Sequence, residues 1–291
     1  MPCLALSVEL GDLDAEFAAC ACMLAGALSV TFSDAADQPV LEPQPGELRL
    51  WQRTRLQALF PAGGAPGALT AALAGAFGID AELVSACELP DRAWEREWLR
   101  DFHPMRFGRR LWVCPRHEGV DDSQAVVVRL DPGLAFGTGT HPSTAMCLTW
   151  LDQATLMDRQ VVDYGCGSGL LAIAALKLGA RRAFAYDIDP QALLATQGNA
   201  ADNAVQDRLR LCARAHEIPA GCDIVLANIL AEVLISLRAQ FATLLPAGGR
   251  ILLSGILAAQ AAEVAAAFLK WFDMKRFACR DDWVALAGTR L

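Results

Sequence analysis

The stretch from Val161 to Gly169, V-V-D-Y-G-C-G-S-G, constrains this chain more than any other. A short apolar run ends in Asp163, glycines stand at positions 165, 167 and 169, and L-L-A-I-A-A-L-K-L then leads to Gly179. Leu171, Ala174, Ala175 and Leu178 recur at helical spacing, and Gly179 sits where a C-cap glycine belongs. The order is strand, glycine turn, helix. Such a turn brings backbone without Cβ atoms, and the free N–H groups of a helix start, up to a ligand. The spacing is G-x-G-x-G. A dinucleotide site wants G-x-G-x-x-G, and Leu170 occupies that sixth position.

The next strand adds to the signal. Ala183 to Asp187, A-F-A-Y-D, ends in an acid, roughly 20 residues beyond the first glycine, the usual distance for a ribose-binding carboxylate. One carboxylate can accept from two adjacent hydroxyls. Asp189-Pro190 reads as the N-cap and first residue of the following helix. Asp187 is therefore assigned to a ligand and Asp189 to the cap; the plainer alternative has both capping. Taken together, turn and acid resemble the first motifs of S-adenosylmethionine (SAM) dependent methyltransferases, whose loop wraps an adenosyl amino acid instead of a pyrophosphate.

Composition narrows the partners. With 291 residues, 54% of them hydrophobic, the chain has material for one or two domains and a large core. A formal charge of −8 is poorly suited to tracking a phosphate backbone, so no direct nucleic-acid substrate is expected. The ten cysteines show no C-x-x-C spacing, and most lie in apolar runs. That pattern predicts small hydrophobes, not metal ligands, and a reducing, cytoplasmic setting. The apolar, uncharged run Phe17 to Ser33 falls short of the ~20 residues that span a bilayer. Neither a membrane helix nor a basic signal segment is expected.

Before the glycine turn, strands are expected at 3–10, 28–32, 53–60 and 79–89. Helices are expected from Asp12 to Ala27 and from Pro66 to Phe77. That is β-α-β-β-α-β, a ferredoxin-like arrangement over residues 1–90. It lacks titratable clusters and reads as a recognition module. Residues 91–104 read as a linker helix, with Trp94, Trp98, Leu99 and Phe102 on one face. Leu111–Cys114 and Ala125–Leu130 read as a hairpin at the entrance of a second domain, 105–291.

Asp131 to Thr144, D-P-G-L-A-F-G-T-G-T-H-P-S-T, holds more glycines, hydroxyls and imidazole than a helix start needs. Thr140 could cap, with Pro142 in the first turn. The surplus suggests a loop folded over a cofactor, with Thr144 hydrogen-bonding it. His141 is as well explained as a turn prop as a base. Later strands are expected at 209–213, 223–230 (ending at Asn228), 250–254, 272–279 and 283–289, with helices at 145–151, 191–203 and 260–269. The alternation predicts an α/β fold: a Rossmann-like, mostly parallel seven-stranded sheet with one antiparallel strand.

The glycine turn, Asp187 and Asn228 together resemble a class I SAM methyltransferase. The segments L-D-P-G-L-A-F-G-T-G-T-H-P-S-T and V-L-A-N-I-L, with W-E-R-E-W and F-H-P-M-R-F-G, closely resemble the bacterial ribosomal protein L-eleven methyltransferase family over essentially the whole chain. The resemblance implies methyl transfer from SAM to lysine side chains and the N-terminal amine of a large-subunit ribosomal protein, up to trimethylation. It also implies a substrate-recognising N-terminal domain. Thr144, Gly165, Gly167, Asp187 and Asn228 are the cofactor residues it points to, with Asn228 also catalytic and no metal. A monomer is expected. Other acceptors (another protein, RNA or a small molecule) remain open, as does a silent SAM-binding, ribosome-docking module. Amino methyltransferases often carry Asn-Pro-Pro-aromatic where this chain has Asn228-Ile229-Leu230-Ala231, so the rigid wall of that pocket is missing.

Overall fold

The computed structural model describes residues 3–36, 50–63, 66–89, 103–131 and 139–291. It divides into two compact units, Met1–Trp98 and Leu99–Leu291. The break falls inside the expected linker; the linker helix itself lies outside the described residues.

The first unit has β1 (Cys3–Glu9), α1 (Ala15–Leu24), β2 (Ser29–Asp34), β3 (Thr54–Pro61), α2 (Pro66–Phe77) and β4 (Ser85–Leu89), with sheet order β2-β3-β1-β4 and β1 antiparallel to both neighbours. This is the ferredoxin-like order read from the sequence. Asp14, not Asp12, caps α1 by accepting from Phe17 N. The expected strand from Ile79 begins only at Ser85, after a 3-10 turn at Ala81–Leu83. Period-two alternation turns Leu4, Leu6 and Val8 of β1, and Leu56, Ala58 and Phe60 of β3, onto Ala18 and Cys22 of α1 and Leu73, Ala74 and Phe77 of α2.

The second unit opens with β5 (Met105–Phe107), β6 (Leu111–Cys114) and β7 (Val126–Arg129). The expected β6–β7 hairpin is corrected: β6 pairs antiparallel with β5 and parallel with β7. The β5–β6 turn is held by Asp152, which accepts from the amides of Arg109, Arg110 and Leu111. β7 is clasped by Asn203, whose side chain both accepts from and donates to the Arg129 backbone at 2.7 Å.

Then come α3 (Pro142–Gln153), β8 (Gln160–Tyr164), α4 (Leu170–Lys177), β9 (Arg182–Tyr186), α5 (Pro190–Asp202), β10 (Leu209–Cys212), β11 (Ile224–Asn228), α6 (Ala231–Leu244), β12 (Arg250–Leu257), α7 (Ala261–Phe268), β13 (Phe272–Arg280) and β14 (Trp283–Arg290). The sheet runs β10-β9-β8-β11-β12-β14-β13, and only β14 opposes its neighbours. This is the mostly parallel, seven-stranded Rossmann-like sheet with one antiparallel strand expected above. The buried strands are apolar on both faces. Val161, Ala183, Ala185, Ile224, Leu226 and Leu252 meet α3 and α4, whereas Val162, Phe184, Val225, Ala227, Ile251 and Leu253 meet α6 and α7. Six of the ten cysteines are buried, as small apolar side chains would be. β8, β9 and β11 all end at the same sheet edge, which therefore gathers the glycine turn, Asp187 and Asn228.

Candidate active site

The glycine turn is tied in place by backbone bonds. Gly165 N and Cys166 N both donate to Tyr186 O, at 2.8 and 3.0 Å, and Gly169 N donates to Cys166 O at 2.8 Å. Thr196 and Asn199 on α5 hold it from outside, donating to Gly167 O and Ser168 O. Gly165 has φ +79°, and a Cβ there would lie 2.4 Å from Ile229 Cγ2; only glycine fits. A Cβ on Gly169 would likewise meet Thr196. The sequence suggested glycines for close approach of a ligand; at these two positions the close approach is also made by the protein itself.

Asp187 sits just past β9. Its Oδ2 accepts from Gly167 N at 2.9 Å and its Oδ1 from Asp189 N at 3.0 Å. Asp189 caps α5 through Gln191 N, with Pro190 first in the helix. The two acids thus have separate tasks. Asp187 fixes the middle of the glycine turn, and a carboxylate with two bonds made still has two lone-pair positions to offer.

Across the edge, Asn228 Nδ2 donates to Thr144 Oγ1 at 3.2 Å. No described residue donates to its Oδ1. Thr144 is 1% exposed, in the first turn of α3, so its hydroxyl orients Asn228, a task the sequence did not suggest. Residues 132–138 of the expected cofactor loop lie outside the described residues. The cap of α3 is His141, not Thr140: its Nδ1 accepts from Ser143 N and lies 2.7 Å from Ser143 Oγ. Its ring meets Trp283 edge-on at 4.7 Å, and burial lowers its pKa, which favours the neutral form. Burial raises the Cys166 thiol pKa well above the ordinary range, which disfavours the thiolate.

Two further polar groups went unnoticed in the sequence. Asp163, 1% exposed beneath the turn, accepts from Ala172 N at 2.9 Å through Oδ2, while its Oδ1 is buried with no partner among the described residues. Burial raises its pKa to about 7. A lone acid at a strand end carries no signal of this in sequence. Ser254, fully buried in β12, donates to Ser143 O at 3.1 Å; a serine in an apolar strand was the available hint.

A family model described as "Ribosomal protein L11 methyltransferase (PrmA)" matches residues 3–291. The chain belongs to the ribosomal protein L11 methyltransferase family. It is 53% identical over 98% of both chains to the ribosomal protein L11 methyltransferase of Methylococcus capsulatus, and 48% identical to that of Pseudomonas aeruginosa over 100% of this chain and 99% of the other. Among solved structures, a ribosomal protein L11 methylase from Lactobacillus delbrueckii subsp. bulgaricus is 32% identical, covering 65% of this chain and 99% of its own, with a TM-score of 0.60. A member of this family is a SAM-dependent methyltransferase. The residues present suit that donor: Asp187 has acceptors to spare for vicinal hydroxyls, and the orphaned Asp163 Oδ1 belongs to a buried carboxyl whose ionised form a cationic ligand would favour.

Proposed function

We propose that the chain methylates amino groups of ribosomal protein L11, both lysine side chains and the N-terminal amine, in repeated rounds up to the trimethyl state. Gly165, Gly167, Asp187, Thr144 and Asn228 line the donor, the ferredoxin-like domain (residues 1–90) recognises the ribosomal protein, and residues 91–104 link it to the methyltransferase domain (105–291). The enzyme works in the cytoplasm as a monomer and needs no metal.

When bound, SAM supplies a sulfonium methyl already activated for attack. The chain's own work is positioning and proton management. At pH 7 a lysine with pKa near 10.4 costs about 4.6 kcal/mol to deprotonate, and an α-amine near 7.8 costs about 1 kcal/mol. The acceptor must therefore be desolvated and its neutral form held by acceptor groups. Asn228 is arranged for that: Nδ2 is committed to Thr144, which leaves Oδ1 as an acceptor for an amine hydrogen. Backbone carbonyls after β11 supply further acceptors and aim the lone pair. Without prolines after Asn228 the pocket wall is less rigid, which suits an amine that grows with each methyl.

The observation that carries this reading is the Asn228–Thr144 bond at the same sheet edge as the glycine turn. Intact-mass analysis of ribosomal protein L11 incubated with this chain and SAM tests it. Mass rising in single-methyl steps, localised to amines, is the expected result; unchanged mass would overturn it.

A further inference from the structure

We infer that Ile229 and Gly255 are positioning residues for methyl transfer, and that together they set the Asn228–Ile229 peptide against the glycine turn. The inference rests on the acceptor role given to Asn228 above.

β12 does not stop at Ser254, where it pairs with Asn228; it continues to Leu257 through a register shift between Leu253 and Ile256. Gly255 lies in that irregularity at φ +77°. Such bulges bend a strand beside functional sites. A Cβ on Gly255 would lie 2.6 Å from Ile229 O, 3.0 Å from its carbonyl carbon and 3.1 Å from its nitrogen. The bulge therefore rests directly on the backbone of the residue after Asn228. The side chain of that residue faces the cofactor turn, with Cγ2 filling the place a Cβ on Gly165 would take, at 2.4 Å. Ile229 is thus held by its backbone from β12 and by its side chain from the first glycine. Ser254 fastens the same bulge to Ser143 O, one residue before the hydroxyl that orients Asn228.

None of these contacts involves a charge, so their contribution is geometric. Methyl transfer needs nitrogen, carbon and sulfur in line, and a shift of about 1 Å costs on the order of a hundredfold in rate. Displacing Ile229 moves the Asn228 amide and the carbonyl that follows it relative to the glycine turn. It leaves the Asp187 contacts untouched.

The two glycines press on different parts of Ile229, and this gives the test. Turnover on ribosomal protein L11, its KM, and SAM affinity by calorimetry are measured for Ile229→Ala, Ile229→Val, Gly165→Ala, Gly255→Ala and the doubles with Ile229→Ala. Ile229→Ala is expected to lower kcat about tenfold while KM and SAM affinity stay within about threefold, and Ile229→Val, which keeps a methyl at that branch, restores most of it. Gly255→Ala lowers kcat on the order of a hundredfold, and Ile229→Ala does not relieve it, because the collision is with backbone. Gly165→Ala is relieved in part, because its collision is with Cγ2. Full kcat in Ile229→Ala, or Val performing no better than Ala, overturns the inference; should Gly255→Ala fail to fold, the Ala and Val pair at 229 decides alone. A wild-type chain without turnover overturns the acceptor reading, and the inference with it.

Discussion

The two halves of the proposed site, one for the donor and one for the acceptor, are built on different length scales. Around the glycine turn the ties are short: Asp163 to Ala172 spans nine residues, Asp187 to Gly167 spans 20, and Asn199 to Ser168 spans 31. Around Asn228 they are long, 84 residues to Thr144 and 111 from Ser254 to Ser143. The donor half is thus a property of one β-α-β unit and its next helix. The acceptor half exists only once α3, β11 and β12 have packed side by side. The contrast predicts separable damage: substitutions in the first half should fall on SAM affinity, and those in the second on turnover.

Asn228→Ala is the sharpest test. It should lower kcat about 100- to 1000-fold, the scale of losing one aimed polar group in an active site, with a smaller loss of SAM affinity, since the same side chain also lines the donor. Near-full turnover with SAM bound would end the proposed role. Asp187→Ala should do the converse, weakening SAM on the order of a hundredfold for two lost charge-assisted hydrogen bonds, read by calorimetry. Unaltered SAM affinity would leave Asp187 as a turn support only.

Asp163 belongs to the donor half and adds a pH signature. Its pKa is raised to about 7 by burial, against an ordinary carboxyl near 3.9 in the unfolded chain. The fold therefore holds a proton that the unfolded chain has lost, and stability falls as pH rises from about 4 to about 7. Asp163→Asn should remove that slope, so its advantage in thermal melts grows over this window and levels off above it, to a few kcal/mol at most (about 1.4 kcal/mol per pH unit). The same change should weaken SAM, and SAM binding to the wild type should strengthen as pH rises through 7. Parallel melting curves for the two proteins across that range would refute the assignment.

The length scales also explain what could be read from the chain. G-x-G-x-G, the acid after β9 and Asp189-Pro190 were legible because spacing along the chain dictates their geometry. Asn228 was legible as a strand end, but its partner Thr144 was not, since no local rule links residues 84 apart. The β6–β7 pairing was misread because strand composition carries no direction; the turn at Gly108, where a Cβ would meet Asp152 at 2.3 Å, is what commits β6 to β5. The strand expected at 250–254 stops one residue short of Gly255. A positive-φ glycine ends a strand or bulges it, and only the neighbouring Ile229 backbone shows which.

The last two tests probe where the acceptor half begins. Thr144→Val removes the acceptor for Asn228 Nδ2 while keeping the side chain's shape, so kcat should drop about five- to tenfold, the worth of about 1 kcal/mol in one hydrogen bond. A loss confined to SAM affinity would leave Thr144 as a donor-lining residue with no part in aiming Asn228. His141 lies three residues earlier and caps the same helix, but its nitrogen is spent on Ser143 and its ring on Trp283. His141→Asn keeps a capping oxygen and His141→Ala does not. The alanine variant should lose about 1 kcal/mol of stability, the asparagine variant less than half of that, and both should turn over within about twofold of wild type. If turnover instead falls steeply in both while stability holds, the imidazole acts in the chemistry, and the acceptor half starts one turn earlier than the Asn228–Thr144 bond implies.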